Sequence, residues 1–295
     1  MSCFFVIMRV VILMKMNEKC LPCLVSQVIK TANICHIDDK EKLYKKVFLY
    51  LSQLDFNKTN PEIIGDTFKL LKEQTYNNDP YKEIRDDYNQ LFLRKENEFE
   101  QDINHSFIKA IQYAIIGNII DFSPLHNDIQ SKLECFNKID SYSLEIDHSQ
   151  QLLDDIKNAE ILLYLGDNCG EIVLDKLLIK EIKRISPQLR IYFCTRGYPV
   201  ANDNIEEDAY TVGIDKYADI INNGDSSLGT VLYKTSQAFR YIYEKADVII
   251  AKGQANYESL SDEDKNIYYL LMVKCDVISQ YIGVKQGSMV CYKGK

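Results

Sequence analysis

Two kinds of apolar pattern divide the chain. From Cys20 the apolar positions Leu21, Leu24, Val25, Val28, Ile29 and Ala32 recur at three- and four-residue intervals, the spacing of one helix face. The same period runs through EKLYKKVFLYLSQL (41–54), PEIIGDTFKLLKEQ (61–74), DPYKEIRDDYNQLFLRKENEFEQDI (79–103) and SFIKAIQYAIIGNIIDF (106–122). Pro61 and Pro80 fall near helix starts, where the missing N–H costs nothing. Residues 17–140 therefore read as a helical region.

After a polar stretch over 124–150 the pattern shortens. ILLYL (161–165) and IYFC (191–194) are unbroken apolar runs of the kind found in parallel strands buried on both faces. YADIIN (217–222) and ADVIIA (246–251) repeat the form, and SMVCYK near the C-terminus reads as a last strand. Helical segments at 171–184, 204–212 and 229–244 separate these runs. Such alternation predicts a Rossmann-like, doubly wound, mostly parallel α/β sheet over 141–295, with the all-helical region packed against it around a shared cleft. The tyrosines of YKTSQAFRYIYEK and NIYYLL read as half-buried amphipathic packing, and DDYNQLFLRKENEFEQD as the wet face of a helix.

Residues 1–16 stand apart. MSCFFVIMRVVILMKM has short apolar runs interrupted by Arg9, no basic residues ahead of them and no small-residue cleavage site. It falls short of the roughly 20 apolar residues of a spanning helix. We read it as an appendage, or as sequence upstream of a true start at Met14 or Met16. Composition adds little to the architecture but narrows the partners. With 295 residues, 46% of them hydrophobic, the chain can bury a sizeable core, and a formal net charge of −8 offers no basic footprint for a nucleic-acid backbone or an anionic membrane. Nine cysteines, odd in number and mostly scattered singly, fit a reducing, cytoplasmic setting.

The chemistry collects where strands end. Each buried run passes into a polar loop: Gly166-Asp167-Asn168-Cys169-Gly170, Arg196 to Asp203, Asn222 to Ser227, and Lys252 to Glu258. In open α/β sheets the carboxyl ends of the strands line the ligand crevice. Any one Asp or Asn there can be a helix cap or turn former, but four such loops favour a site. YLGDNCGEIVLDKL (164–177) has the strand, glycine turn and helix of a dinucleotide loop, yet carries Asp167 and Asn168 where a phosphate cradle favours glycine. Carboxylates from Asp167 and Asp203 with the Asn168 carbonyl are hard oxygen donors suited to Mg²⁺ or Mn²⁺. Helix N-termini after the loops, with Lys252 and Lys274, would seat a phosphate.

The wording and order of these loops resemble the damage-control phosphatases, metal-dependent phosphatases first catalogued as a numbered domain of unknown function. The resemblance is carried by LYLGDNCGEIVLDKLLI, TRGYPVANDNIEEDA, GIDKYADIINNGDSSLGT and ADVIIAKGQANYESL. Upstream, NEKCLPCLVSQVIKTAN, NNDPYKEIRDDYN and AIIGNIIDF are similar to the helical part of the branch with a paired-cysteine motif. It spans about residue 17 to the end. The resemblance implies one divalent cation (Mn²⁺, Co²⁺, Ni²⁺ or Mg²⁺) on Asp167, Asn168 and Asp203. It implies substrate contacts from Gln254, Ala255, Asn256, Tyr257, Glu258 and Lys274, with Asn118 and Asp121 facing the site from the helical side. Tyr198 stands where the family often has a small residue, a change expected to reshape the substrate pocket.

The expected activity is hydrolysis of small phosphate monoesters, sugar phosphates or damaged phosphometabolites, with no nucleic-acid or membrane partner. The sequence leaves the attacking group open between water and an aspartate. Two other classes fit parts of the sequence: an S-adenosylmethionine-dependent methyltransferase, through LYLGDNCGE, and a non-catalytic phosphometabolite-binding protein. Cys20-Leu21-Pro22-Cys23 superficially matches a redox pair, or with Cys35 and His36 a zinc cluster, against the simpler reading of helix packing. His105, His126 and His148 lie among polar residues and read as solvated.

Overall fold

The computed structural model describes residues 14–75, 77–117 and 135–295. The helices predicted from the 3.6-residue period form α1 (Leu21–Ile34), α2 (Lys40–Ser52), α3 (Asn60–Thr75), α4 (Lys82–Ile103) and α5 (Phe107–Ile116). Side-chain caps set two of the starts: Asp39 accepts from the Lys42 N–H at 3.0 Å, and Ser106 accepts from the Lys109 N–H at 3.3 Å. Beyond Gly117, the rest of the predicted GNIIDF segment lies outside the described residues, as do Asn118, Asp121 and His126.

The α/β part runs β1 (Leu144–Asp147), α6 (Ser149–Asn158), β2 (Ile161–Leu165), α7 (Glu171–Ile185), β3 (Arg190–Thr195), α8 (Glu206–Val212), β4 (Asp219–Asn222), α9 (Gln237–Lys245), β5 (Val248–Lys252), α10 (Gly253–Leu260), β6 (Ile267–Met272), α11 (Asp276–Ile282) and β7 (Met289–Lys293). The sheet order is β1-β7-β6-β5-β2-β3-β4, parallel throughout except for the β6–β7 pair. The winding direction reverses between β2 and β5, and the crevice at such a reversal is where α/β sheets bind ligands.

Three differences from the sequence reading have plain causes. NIYYLL is strand β6, buried at every position from Ile267 to Met272, because a fully buried strand shows no alternation. β1 lies inside the polar stretch and escapes notice because only alternate residues of this edge strand turn inward. The helix expected over 229–244 starts only at Gln237, where the Ser236 side chain caps the Phe239 N–H at 3.1 Å.

Alternate strand residues feed two cores. Leu162, Tyr164, Ile191, Phe193, Ile250 and Leu270 pack against α4, α5 and α7. Leu163, Leu165, Cys194, Ile249, Ala251 and Leu271 pack against α9, α10 and α11. Helices α4 and α5 thus belong to the sheet's own core. Helices α1 to α3 form a separate cluster that also takes in Val200 and Ala201 from the β3–α8 loop. Met14 is buried in the second sheet core and Met16 in the α1–α3 cluster. Among the described residues no helix is long and apolar enough to cross a membrane.

Candidate metal and phosphate site

At the carboxyl ends of β2, β3, β5 and β6, a cavity of about 570 Å³ is roofed by α1 and α3. Asp167, Asn168 and Asp203 all line it, so the structure brings together the three residues proposed from sequence. An isolated bridge pairs Asn168 with Asp203, and the Cys169 N–H donates to Asn202 O at 2.9 Å. Asn204 binds the Asp167 carbonyl twice, through its backbone N–H at 2.9 Å and its side-chain amide at 2.7 Å. These contacts lace the loops after β2 and β3 into one unit.

The two carboxylates are nearly enclosed, with Asp167 5% and Asp203 3% exposed. Buried like charges repel and lack water, so a counter-charge is needed. Arg196, itself 1% exposed, supplies it: Nε donates to Asp203 Oδ2 at 2.6 Å, and Nη2 lies 3.6 Å from Asp167 Oδ1. Burial pushes the Asp203 carboxyl up to about 7, with the Arg196 charge pulling it down and Asp167 raising it further. The Asn168 amide donates to Asp167 Oδ2 at 2.9 Å and accepts from the Asn202 amide at 2.8 Å. Two carboxylates and an amide oxygen lining one cavity supply hard-oxygen donors for part of a coordination shell. Mg²⁺-like ions use such shells, filling the other positions with water or substrate oxygens. The donor chemistry fits such a cation.

Behind the loop lies a second ion-pair cluster. Lys252 is fully buried and donates to Glu171 at 3.1 Å and to Asp175 at 2.7 Å, while the Tyr164 hydroxyl donates to Asp175 at 2.7 Å. Burial pushes Glu171 up to about 7, with Lys252 opposing the shift. Lys252 therefore braces the start of α7 and does not supply positive charge to the cavity.

The β5–α10 segment divides. Gln254, Ala255 and Glu258 line the cavity, as does Lys274 after β6. Asn256 is turned away: its amide donates to the Gly166 and Lys252 carbonyls at 3.2 and 2.7 Å, holding two site loops together. Tyr257 packs edge-on against Tyr269 and Tyr292. Both face inward because α10 can present only one side to the cavity. Gln254 donates to Glu258 at 2.8 Å and accepts the Lys274 backbone N–H at 3.1 Å, which ties the two halves of this wall. Burial raises the Glu258 carboxyl, and its bonds to Gln254 and Asn60 oppose the rise.

Sequence reasoning missed Gln27, Lys30, Asn60, Asn202 and Gln286, the other polar side chains of the lining. Gln27 and Lys30 sit one turn apart on α1, a spacing visible in the sequence, but nothing local says that this helix faces a sheet crevice. Tyr198 does not touch the cavity. It is 60% exposed and borders a different hollow with Lys69 and Lys72.

The cysteine readings also resolve. Cys20 and Cys35 bracket α1, so a 14-residue helix, about 21 Å long, separates them and excludes one zinc cluster. Among the described residues all eight cysteines are free, and no group of three or more His, Cys, Asp or Glu side chains is arranged to hold a metal. Burial, reinforced by Glu258, pushes the Cys20 thiol up to about 11, the opposite of what a redox-active thiol needs. Of the histidines expected to be solvated, His148 accepts the Lys293 N–H at 2.8 Å and His105 contacts Glu181 at 3.0 Å.

Residues 16–290 match the family model of the damage-control phosphatase ARMT1-like domain. The chain belongs to this family. It is 31% identical over 290 residues to a damage-control phosphatase of Pyrococcus horikoshii, covering 96% of this chain and 99% of the relative. A damage-control phosphatase of Archaeoglobus fulgidus is 31% identical over 288 residues, with 94% and 98% covered. An uncharacterized protein of Methanocaldococcus jannaschii is 33% identical over 293 residues, 95% of each chain. The crystal structure of a DUF89 family protein from Pyrococcus horikoshii superposes with a TM-score of 0.86 at 30% identity, covering 95% of this chain and 99% of that one.

Proposed function

We propose that the protein is a divalent-cation-dependent phosphatase of small phosphorylated metabolites, with Asp167, Asn168 and Asp203 holding the cation. The observation that carries this reading is the convergence of these three residues at the sheet's winding reversal, beside the start of α10 and Lys274. A bound Mg²⁺- or Mn²⁺-class ion would supply Lewis-acid stabilisation of phosphoryl oxygens. The chain's own residues do the rest. The first N–H groups of α10 and the Lys274 ammonium bind the phosphate, since a helix N-terminus favours an anion. Gln254, Glu258 and Asn60 orient the remainder of the substrate. Arg196 holds the two aspartates at close quarters, so that little rearrangement accompanies binding.

The methyltransferase alternative finds no support at the ribose position. The strand after the glycine turn ends at Thr195 and is followed by Arg196, where a ribose-binding site needs a carboxylate. Phosphate release from p-nitrophenyl phosphate and a panel of sugar phosphates, with Mn²⁺, Co²⁺, Ni²⁺ or Mg²⁺ and with chelator, tests the proposal. Turnover that disappears with chelator supports it. A folded protein that releases no phosphate with any of these ions overturns it, and phosphometabolite binding in such a protein would favour a non-catalytic binder.

A further inference from the structure

The segment DPYKEIRDDYN lines no part of the catalytic cavity through Arg85 or Asn89, yet these two residues are almost wholly buried on α4, one turn apart. Buried side chains of this polarity are retained only where every group is partnered. Arg85 forks onto Asp79 at 2.6 and 2.7 Å and donates through Nε to Asp208 Oδ2 at 2.9 Å. The Asn89 amide donates to Asp208 Oδ1 at 3.0 Å, and its oxygen accepts the Gly170 N–H at 2.7 Å. Its orientation is fixed chemically, because only the NH₂ can face a carboxylate and only the oxygen can face an N–H.

Gly170, at φ +72°, closes the turn two residues after Asn168. On the other side, Asp208 Oδ2 accepts the N–H of Ile205, two residues after Asp203, at 2.9 Å. One face of α4 is therefore tied to both proposed ligand loops, to one directly through Asn89 and to the other through Asp208, each two residues from a proposed ligand. We propose that Asn89 and Arg85 are positioning residues for the cation site, setting the separation of Asp167 and Asn168 from Asp203. The inference rests on the metal reading given above.

Calorimetric titration of the metal-free full chain with Mn²⁺ tests it. Groups behind metal ligands typically contribute 10- to 100-fold in affinity, so Asn89→Leu is expected to weaken Mn²⁺ binding at least about tenfold and to shrink the rise in Tm on adding Mn²⁺. Phe92→Leu, a buried change on the same helix with no bond to either loop, should lower Tm while leaving Mn²⁺ affinity within about twofold, as expected of a cost confined to packing. If Asn89→Leu does not fold, Asn89→Asp is read by the same criterion, because its carboxylate still meets the Gly170 N–H but repels Asp208. Wild-type affinity in the Asn89 variant, or equal weakening in Phe92→Leu, overturns the positioning role. A wild-type chain that binds no Mn²⁺ overturns the metal reading beneath it.

Discussion

A β-carbon on Gly253 would stand 1.9 Å from Oδ2 of Asp167, which fits only because residue 253 has no side chain. Gly253 also adopts φ +77°, so the first residue of α10 is glycine for two independent reasons. The carboxylate of one strand's loop rests directly on the backbone of the next strand's loop, across the winding reversal.

Gly253→Ala should therefore leave the sheet cores intact but drive the Asp167 carboxylate out of place. A displacement of about 1 Å at a reacting centre costs on the order of 100-fold in rate. Phosphate release with saturating Mn²⁺ is expected to fall by at least that factor, with circular dichroism unchanged.

Two substitutions separate the Arg196 contact of Asp203 from its proposed role as a cation ligand. Asp203→Asn keeps a hydrogen-bond acceptor for Arg196 while removing the charge of the proposed ligand, so cation-dependent phosphate release should vanish from a folded protein. Asp203→Ala also strips the hydrogen-bonded partner from a buried guanidinium, a loss of about 3–5 kcal/mol where a buried pair is broken. Urea denaturation should rank Asn above Ala. Full activity in either variant would sink the ligand assignment.

The raised carboxyls make the metal-free protein sensitive to pH in a defined direction. Asp203 moves from an ordinary 3.8 to about 7, and Glu171 from 4.5 to about 7. Between those values the folded chain keeps protons that the unfolded chain has released, so stability falls as pH rises from about 4 to about 7, then levels. Thermal unfolding in chelator should give a lower Tm at pH 8 than at pH 6. Asp203→Asn should reduce that difference, and Mn²⁺ should restore Tm at pH 8 by compensating the ionised site.

Tyr198 separates family-based expectation from geometry. Its ring is exposed and borders another hollow, so Tyr198→Ala should change KM and kcat for a sugar phosphate by less than about twofold, the range of a surface substitution away from the site. A large change in KM would mean that Tyr198 reaches the substrate during turnover.

Much of this protein was legible in order. Apolar runs mark β2, β3 and β5 because strands buried on both faces cannot afford polar residues, and Asp167, Asn168 and Asp203 advertise hard-ligand chemistry by type and loop position. β6 was hidden by the same rule taken further, since IYYLLM has neither alternation nor a neighbouring ligand motif to distinguish it from packing. The roles of Lys252, Asn256, Arg85 and Asn89 could not be read locally. Each is polar and near a motif, which favours a guess of substrate contact or solvation, and each is instead buried with at least one partner 77 to 123 residues away. Sequence by itself determined which side chains could bind a cation and a phosphate, because donor type is a property of the residue. Only the tertiary structure decided which of them meet in one cavity and which brace it from behind, because strand order, helix facing and the compensation of buried charge are set by contacts distant along the chain.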